Sequence, residues 1–244
     1  MLTRILNSIR VRIKNIREAG QAAAAHKNAL KQNPEILLKI NEIINRYHLS
    51  DGLKHPFQAY KLLELERLLR HYRPNNIVEF GTGSSSRMFM EYLRQNSFAK
   101  LTCVDEQKSW LDGIARDAAL AGMSERVALH HTEREIHENG VVEFRYRTNP
   151  NIDADFVFVD GPSHLLAGHN LKNVVDSNAL HFVTDTIRPV IIVSARRATV
   201  EFFNKNIKGY RLIKSDLLMR RFKKNYNYFS IFEPLSEQET HTRK

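Results

Sequence analysis

The chain has 244 residues, and 37 Lys+Arg against 27 Asp+Glu give a formal net charge of +10. Apolar content of 42% and charged content of 26% are those of a globular chain with a sizeable core, which excludes wholesale disorder. A single cysteine, Cys103, excludes a disulfide scaffold and a cysteine-based zinc site and fits a reducing, cytoplasmic compartment. No apolar run approaches the roughly 18 residues of a membrane-spanning helix. Charges interrupt every apolar stretch near the N-terminus, unlike a secretory signal.

The positive charge is concentrated in two segments. Residues 1–31 carry a net +6 and residues 204–224 a net +7, which leaves −3 for the other 192 residues. This distribution argues against a nucleic-acid surface spread over the whole protein and leaves a local anionic partner open.

Residues 2–18 read as an amphipathic helix. Leu2, Ile5, Leu6, Ile9, Ile13 and Ile16 fall within an arc of about 100°, flanked by Arg12 and Arg17. Such a helix can dock on its own domain, on a protein partner or on an anionic membrane surface, which would make the protein peripheral to the membrane. An alanine-rich stretch follows, then Asn33-Pro34-Glu35, a helix start with a cap, a first-turn proline and an acid. Ser50-Asp51-Gly52 marks the boundary between a helical extension, residues 1–50, and a main domain, residues 51–244.

The next helix spans residues 56–72, with Leu62, Leu65, Leu69 and Tyr72 at helical spacing and Pro74 beyond its end. From residue 76 the pattern alternates. Strands are expected at 76–80, 101–104, 126–130, 154–159 and 190–193, and helices at 85–95 and 107–121. The run from Ala154 to Val159 is almost continuously apolar, as for a strand buried on both faces. Residues 209–215 and 226–232 read as a closing strand pair. The expected fold is α/β: a Rossmann-like, doubly wound, mostly parallel sheet covered by helices on both faces, with a C-terminal antiparallel hairpin.

Ligands of open parallel sheets bind beyond the carboxyl ends of the strands, so the residues after each strand matter most. After the first comes Glu79-Phe80-Gly81-Thr82-Gly83-Ser84-Ser85-Ser86. Two glycines permit a tight turn against a ligand, and the helix that follows offers free N–H groups. The run is neither the dinucleotide fingerprint, which needs a third glycine or alanine where Ser86 stands, nor a P-loop. Asp105 and Glu106 follow the second strand, where an acid can bind both hydroxyls of a ribose or simply cap the next helix. Asp160-Gly161-Pro162-Ser163-His164 follows the fourth strand, and folding alone gives no reason for a carboxylate there. Arg196 and Arg197, after the fifth strand, can clamp an anionic substrate group or begin a solvated helix. His130-His131 lacks a third ligand for a metal, and Trp110 reads as core.

Glu-x-Gly-x-Gly after the first strand, an acid after the second and Asp155-x-x-x-x-Asp160-Gly161 around the fourth together resemble the class I S-adenosylmethionine-dependent methyltransferases. The resemblance covers roughly residues 56–232. It implies S-adenosylmethionine as cofactor, with Glu79, Gly81, Thr82, Gly83 and Ser85 around its methionine part. It places the ribose on Asp105, with Glu106 as the neighbouring alternative, and the methyl group and acceptor near Asp160. Thr132 and Glu133 lie where the family often contacts adenine. The Asp160-Gly161-x-x-His164 pattern, with Asp176 beyond, resembles O-methyltransferases of small molecules and sugars. His164 would then be the catalytic base and Asp160 its partner in positioning the acceptor. Some relatives bind a divalent metal through acids after the fifth strand; Ser194-Ala195-Arg196-Arg197 offers none, so no metal is expected.

The expected activity is therefore methyl transfer to an oxygen of a small molecule or glycan precursor. The alternatives are a non-catalytic Rossmann-like module docked through its basic helix, and an RNA methyltransferase using the basic 204–224 segment. Nucleic acid is the weaker partner because that segment matches no RNA-binding motif. The oligomeric state is not legible.

Overall fold

The computed structural model describes residues 56–138, 140–166, 169–171, 173–194, 196–215 and 229–236, together with eight isolated positions between 24 and 45. Pro34 and Glu35 are among the latter and are helical and exposed. The amphipathic segment 2–18, the boundary at 50–52 and residues 216–224 of the second basic segment lie outside the described residues.

Helix α1 spans Pro56–Tyr72. Leu62, Leu65, Leu68 and Leu69 on its inner stripe are each at most 3% exposed, and burying each contributes about 1.5–3 kcal/mol. The helix stops where Arg73 takes a left-handed φ of 49° and returns its N–H to Leu69 O at 2.9 Å, just before Pro74. The alternating region then runs β1 (Asn76–Phe80), α2 (Ser84–Gln95), β2 (Lys100–Asp105), α3 (Lys108–Leu120) and β3 (Val127–His131). Further on come β6 (Phe156–Val159), β10 (Val190–Ser194), α4 (Arg197–Asn206), β11 (Tyr210–Ser215) and β12 (Phe229–Pro234). Each strand and helix expected from residue 56 onward is present within a few residues of its expected bounds.

Seven of these strands form one sheet in the order β11-β12-β10-β6-β1-β2-β3. The five from β10 to β3 are mutually parallel, and β12 enters antiparallel between β10 and β11. Strand order therefore reverses at β1 and β6, whose carboxyl ends define the crevice. Asp155 closes the opposite end: its carboxylate accepts the N–H groups of Asn75 and Asn76 at 2.8 and 3.0 Å, fixing the register of β1 against β6.

One face of the sheet packs Ile77, Leu101, Cys103, Phe156, Phe158 and Ile192 against α1, α2 and α3. The other packs Val78, Phe80, Val104, Val157, Val159 and Val193 against Phe203 of α4 and a short 3-10 helix, Asn178–Phe182. Helices thus lie on both faces of the sheet, as expected, but not every connection between its strands is helical. Among the described residues no α-helix connects β3 to β6 or β6 to β10. The first connection carries a hairpin, β4 (Arg134–Glu138) and β5 (Val142–Tyr146), which joins β9 (Val175–Asp176) in a second, three-stranded sheet. The second carries β7 (Leu165–Leu166) and β8 (His169–Asn170), then β9 and the 3-10 turn. Asn139-Gly140 between alternating residues is the sequence signal for that hairpin. Val142, Phe144 and Tyr146 recur with the period of two that a strand needs, and Phe144 and Tyr146 are buried.

Trp110 is also corrected. It is 47% exposed on α3, with its Nε1–H on Gln107 Oε1 at 3.1 Å, rather than in the core. No described helix is long and apolar enough to cross a membrane.

Candidate functional site

The crevice is built on two loops in direct contact. Gly81 N donates to Val104 O at 2.9 Å and Asp160 N to Phe80 O at 2.9 Å, so the ladders of β1 with β2 and β6 continue into the turns. Gly81 has φ +85°, and a Cβ on it would stand 2.5 Å from Gly161 N. A Cβ on Gly161 would stand 2.4 Å from Gly81 Cα. The glycine at 81 is therefore required by the neighbouring loop and by its own backbone angle. Gly83 differs: its φ of 175° is open to any residue, and a Cβ there would meet nothing within 4 Å. Its missing side chain leaves free space above the turn that begins α2.

Glu79 lies beneath this turn and is fully buried. Its Oε1 accepts the Ser85 hydroxyl at 2.5 Å, and the Cys103 thiol approaches Oε2 at 3.6 Å. Burial pushes its pKa up to about 8 against the hydrogen bonds of Ser85, Ser86 and Cys103. Glu79 thus braces the start of α2 from below.

Asp105 ends β2 and holds the turn from the side. Its Oδ2 accepts the N–H and the hydroxyl of Thr82, at 2.6 and 2.7 Å, and its Oδ1 accepts Gln107 N at 2.8 Å. Oδ1 keeps a lone pair for a further donor such as a ribose hydroxyl. Glu106 spans the crevice: Oε2 accepts the Tyr146 hydroxyl at 2.8 Å and Oε1 accepts Ser163 N at 3.0 Å. Burial, with Glu106 and Asp105 nearby, holds the Tyr146 phenol well above its ordinary range. Thr132 accepts Thr148 N at 3.1 Å, and Glu133 pairs with Arg147 at 2.6 Å, so both tie β3 to the segment after β5. His130 meets the Thr148 hydroxyl at 2.9 Å and His131 the Glu106 carbonyl at 3.2 Å. The described residues hold no cluster of metal-ligating side chains.

A cleft of about 80 Å³ opens between α1, the start of α2 and the ends of β6 and β10. Lys61, Ser84, Ser85, Asp160 and Ser194 line it over an apolar floor that includes Phe158 and Phe229. Lys61 Nζ donates to Ser194 Oγ at 2.9 Å. Asp160 faces the open side of the cleft, yet the protein packed around it raises its pKa, opposed by Lys61, Arg196 and Ser194. A cation and a carboxylate thus share one small cleft beside the N-terminus of α2. Sequence reasoning missed Lys61 and Ser194. Their signals are a lysine four residues before Leu65 on the buried stripe of α1, and a small polar residue closing a buried strand.

His164 lies behind this cleft, in a second cluster. Its Nε2 is 2.9 and 3.1 Å from the two oxygens of Asp176, which is fully buried. Thr199 holds Asp176 further, donating to Oδ2 at 3.2 Å and accepting Asp176 N at 2.9 Å. Phe144 meets the His164 ring edge-on, with centroids 6.0 Å apart. Arg196 turns inward to this cluster, whereas Arg197 is exposed and pairs with Glu201 at 2.7 Å one turn along α4. The fold separates two arginines that are adjacent in sequence.

Two solved structures share this architecture. The SAH-bound methyltransferase PaMTH1 of Podospora anserina aligns over 90% of this chain and 96% of its own, with a TM-score of 0.52 and 11% identity. A Klebsiella pneumoniae protein assigned as an O-methyltransferase aligns over 89% of this chain and 99% of its own, with a TM-score of 0.50 and 14% identity. The chain has the Rossmann-like fold of these methyltransferases. No protein-family model matches the sequence, and no curated protein matches it. In this fold the seven-stranded order with the inserted antiparallel strand brings Gly81, Gly83, Asp105 and Asp160 to one edge of the sheet.

Proposed function

We propose that the protein is an S-adenosylmethionine-dependent methyltransferase acting on an oxygen of a small molecule or glycan precursor. The observation that carries this reading is the opposition of Lys61 and Asp160 in the cleft at the carboxyl ends of β6 and β10. The amino-acid end of S-adenosylmethionine bears one carboxylate and one ammonium, and such a cleft complements both. The open space over Gly83 and the unused lone pair of Asp105 Oδ1 fit the rest of the cofactor. Both neighbours described above are methyltransferases by name, and one of them binds SAH.

S-adenosylmethionine, held at the turn 81–83 and in the cleft, would supply an activated methyl to the acceptor oxygen, its sulfur keeping the electron pair of the broken C–S bond. The chain's own residues do the rest. Glu79 and Asp105 fix the turn at 81–83 so that its backbone meets the cofactor in a set position. Asp160 stands at the cleft mouth to orient the acceptor hydroxyl, and His164 takes the hydroxyl proton. Asp176 stabilises the imidazolium so formed, 2.9 Å from Nε2.

Isothermal titration with S-adenosylmethionine and its demethylated product tests this reading, and a folded protein that binds neither overturns it. We also propose that segment 2–18 docks the protein on an anionic membrane surface or a protein partner. Liposome flotation with and without residues 1–20 tests the membrane arm, and unchanged flotation excludes it.

A further inference from the structure

Arg196 makes more contacts than any other side chain of the crevice described above. Its Nη1 lies 2.8 Å from Pro162 O, 2.6 Å from Asp176 Oδ2 and 2.7 Å from His164 Nε2. Its Nη2 donates to Asp160 O, and its Nε stands 3.7 Å from Asp160 Oδ1 with no hydrogen-bond partner. One guanidinium thus gathers both ends of the Asp160–His164 loop and the carboxylate of β9.

The hydrogens at Nη1 do not suffice for these neighbours. A guanidinium nitrogen of this kind carries two hydrogens and never accepts, and arginine stays protonated in proteins. Three acceptors face them: a carbonyl, a carboxylate oxygen and an imidazole nitrogen. A protonated Nε2 at 2.7 Å from Nη1 would set two donors against each other. In the arrangement of the structure Nε2 is therefore the bare nitrogen, and the ring proton of the neutral imidazole sits on Nδ1. Asp176 alone would favour the opposite tautomer, because a carboxylate 2.9 Å from Nε2 is a ready acceptor for an Nε2–H.

We propose that Arg196 is a positioning residue that sets the tautomer of His164, keeping Nε2 bare and ready to receive a proton. When Nε2 takes a proton it donates it to Asp176, and Nη1, now facing a donor, withdraws from Nε2 and keeps its two hydrogens for Pro162 O and Asp176. The tautomer assignment stands on this geometry alone; its consequence for catalysis rests on the methyl-transfer reading, in which that proton comes from the acceptor hydroxyl.

Nitrogen-15 NMR of the histidine rings in the full chain tests the assignment without an acceptor. His164→Gln identifies the resonances among the 11 histidines. The wild type is expected to show Nε2 of the neutral His164 ring at the unprotonated position and Nδ1 at the protonated one. Arg196→Met, which removes the donors and keeps the bulk, is expected to move Nε2 to the protonated position. A protonated Nε2 in the neutral wild-type ring overturns the proposal, as does a bare Nε2 in both proteins. If Arg196→Met fails to fold, the wild-type spectrum alone still decides whether Nε2 is bare. Titration of the same samples with S-adenosylhomocysteine separates the two claims. Loss of binding in the wild type sinks the methyl-transfer reading, whereas the tautomer stands or falls on the spectrum.

Discussion

Gly81 and Gly161 pack backbone against backbone across the first and fourth strand loops, so close that a Cβ on either would lie within 2.5 Å of the other's main chain. Strain at the left-handed φ of Gly81 and overpacking each cost about 1–3 kcal/mol. Gly81→Ala is therefore expected to destabilise the protein by several kcal/mol in urea denaturation. Gly83→Ala is expected to leave stability within about 0.5 kcal/mol, because its Cβ meets nothing. The same change is expected to weaken S-adenosylhomocysteine binding by filling the space above the turn. Equal stability of the two variants would remove this distinction.

Lys61 is the cleft's cation. A hydrogen bond to a charged group contributes about 1.5–3 kcal/mol, so Lys61→Met is expected to weaken S-adenosylhomocysteine binding by tenfold or more. The decarboxylated analogue lacks the group that Lys61 would meet, and its affinity is expected to stay the same. Parallel loss for both ligands in calorimetry would place Lys61 elsewhere in the mechanism.

Asp105 accepts three donors that no other described group serves as closely. Asp105→Ala removes their acceptor, at about 1–3 kcal/mol for each donor that water does not reach, and Gln107 is exposed. Both thermal stability and cofactor affinity are expected to fall. His164→Ala is expected to leave cofactor affinity within twofold while abolishing turnover. A drop in cofactor affinity for His164→Ala equal to that for Asp105→Ala would contradict the roles given to them.

Glu79 makes stability depend on pH in a defined direction. Its folded pKa of about 8 lies above the ordinary 4.5 of a glutamate, so the folded state holds the proton more tightly. The favourable contribution is complete below about 4.5 and is lost as pH rises through about 8. Glu79→Gln cannot ionise and is expected to flatten the stability profile across that window. A wild-type profile rising from pH 5 to 8 by the same amount as that of the variant would refute this.

Much of the fold was legible because the relevant signals are local. The buried run at 156–159, the leucine stripe of α1 and the glycines at 81 and 83 each declare themselves within a few residues. The hairpin at 134–146 was equally local, with the turn dipeptide Asn139-Gly140 in its sequence, but its strands are short and their alternation is diluted by charge.

The sequence by itself determined the chain order of the seven strands of the main sheet, the turn after β1 and the acids that follow β2 and β6, because periodicity and turn chemistry act between near neighbours. Only the tertiary structure decided what each charged group meets. It turned Arg196 inward to His164 and Asp176 and left Arg197 on the surface beside Glu201. It brought Lys61 to Ser194, 133 residues away. It gave Glu106 to Tyr146 and Ser163 across the crevice. Hydrogen bonds and ion pairs are set at about 3 Å between groups remote in the chain, and no spacing within a single segment encodes that distance.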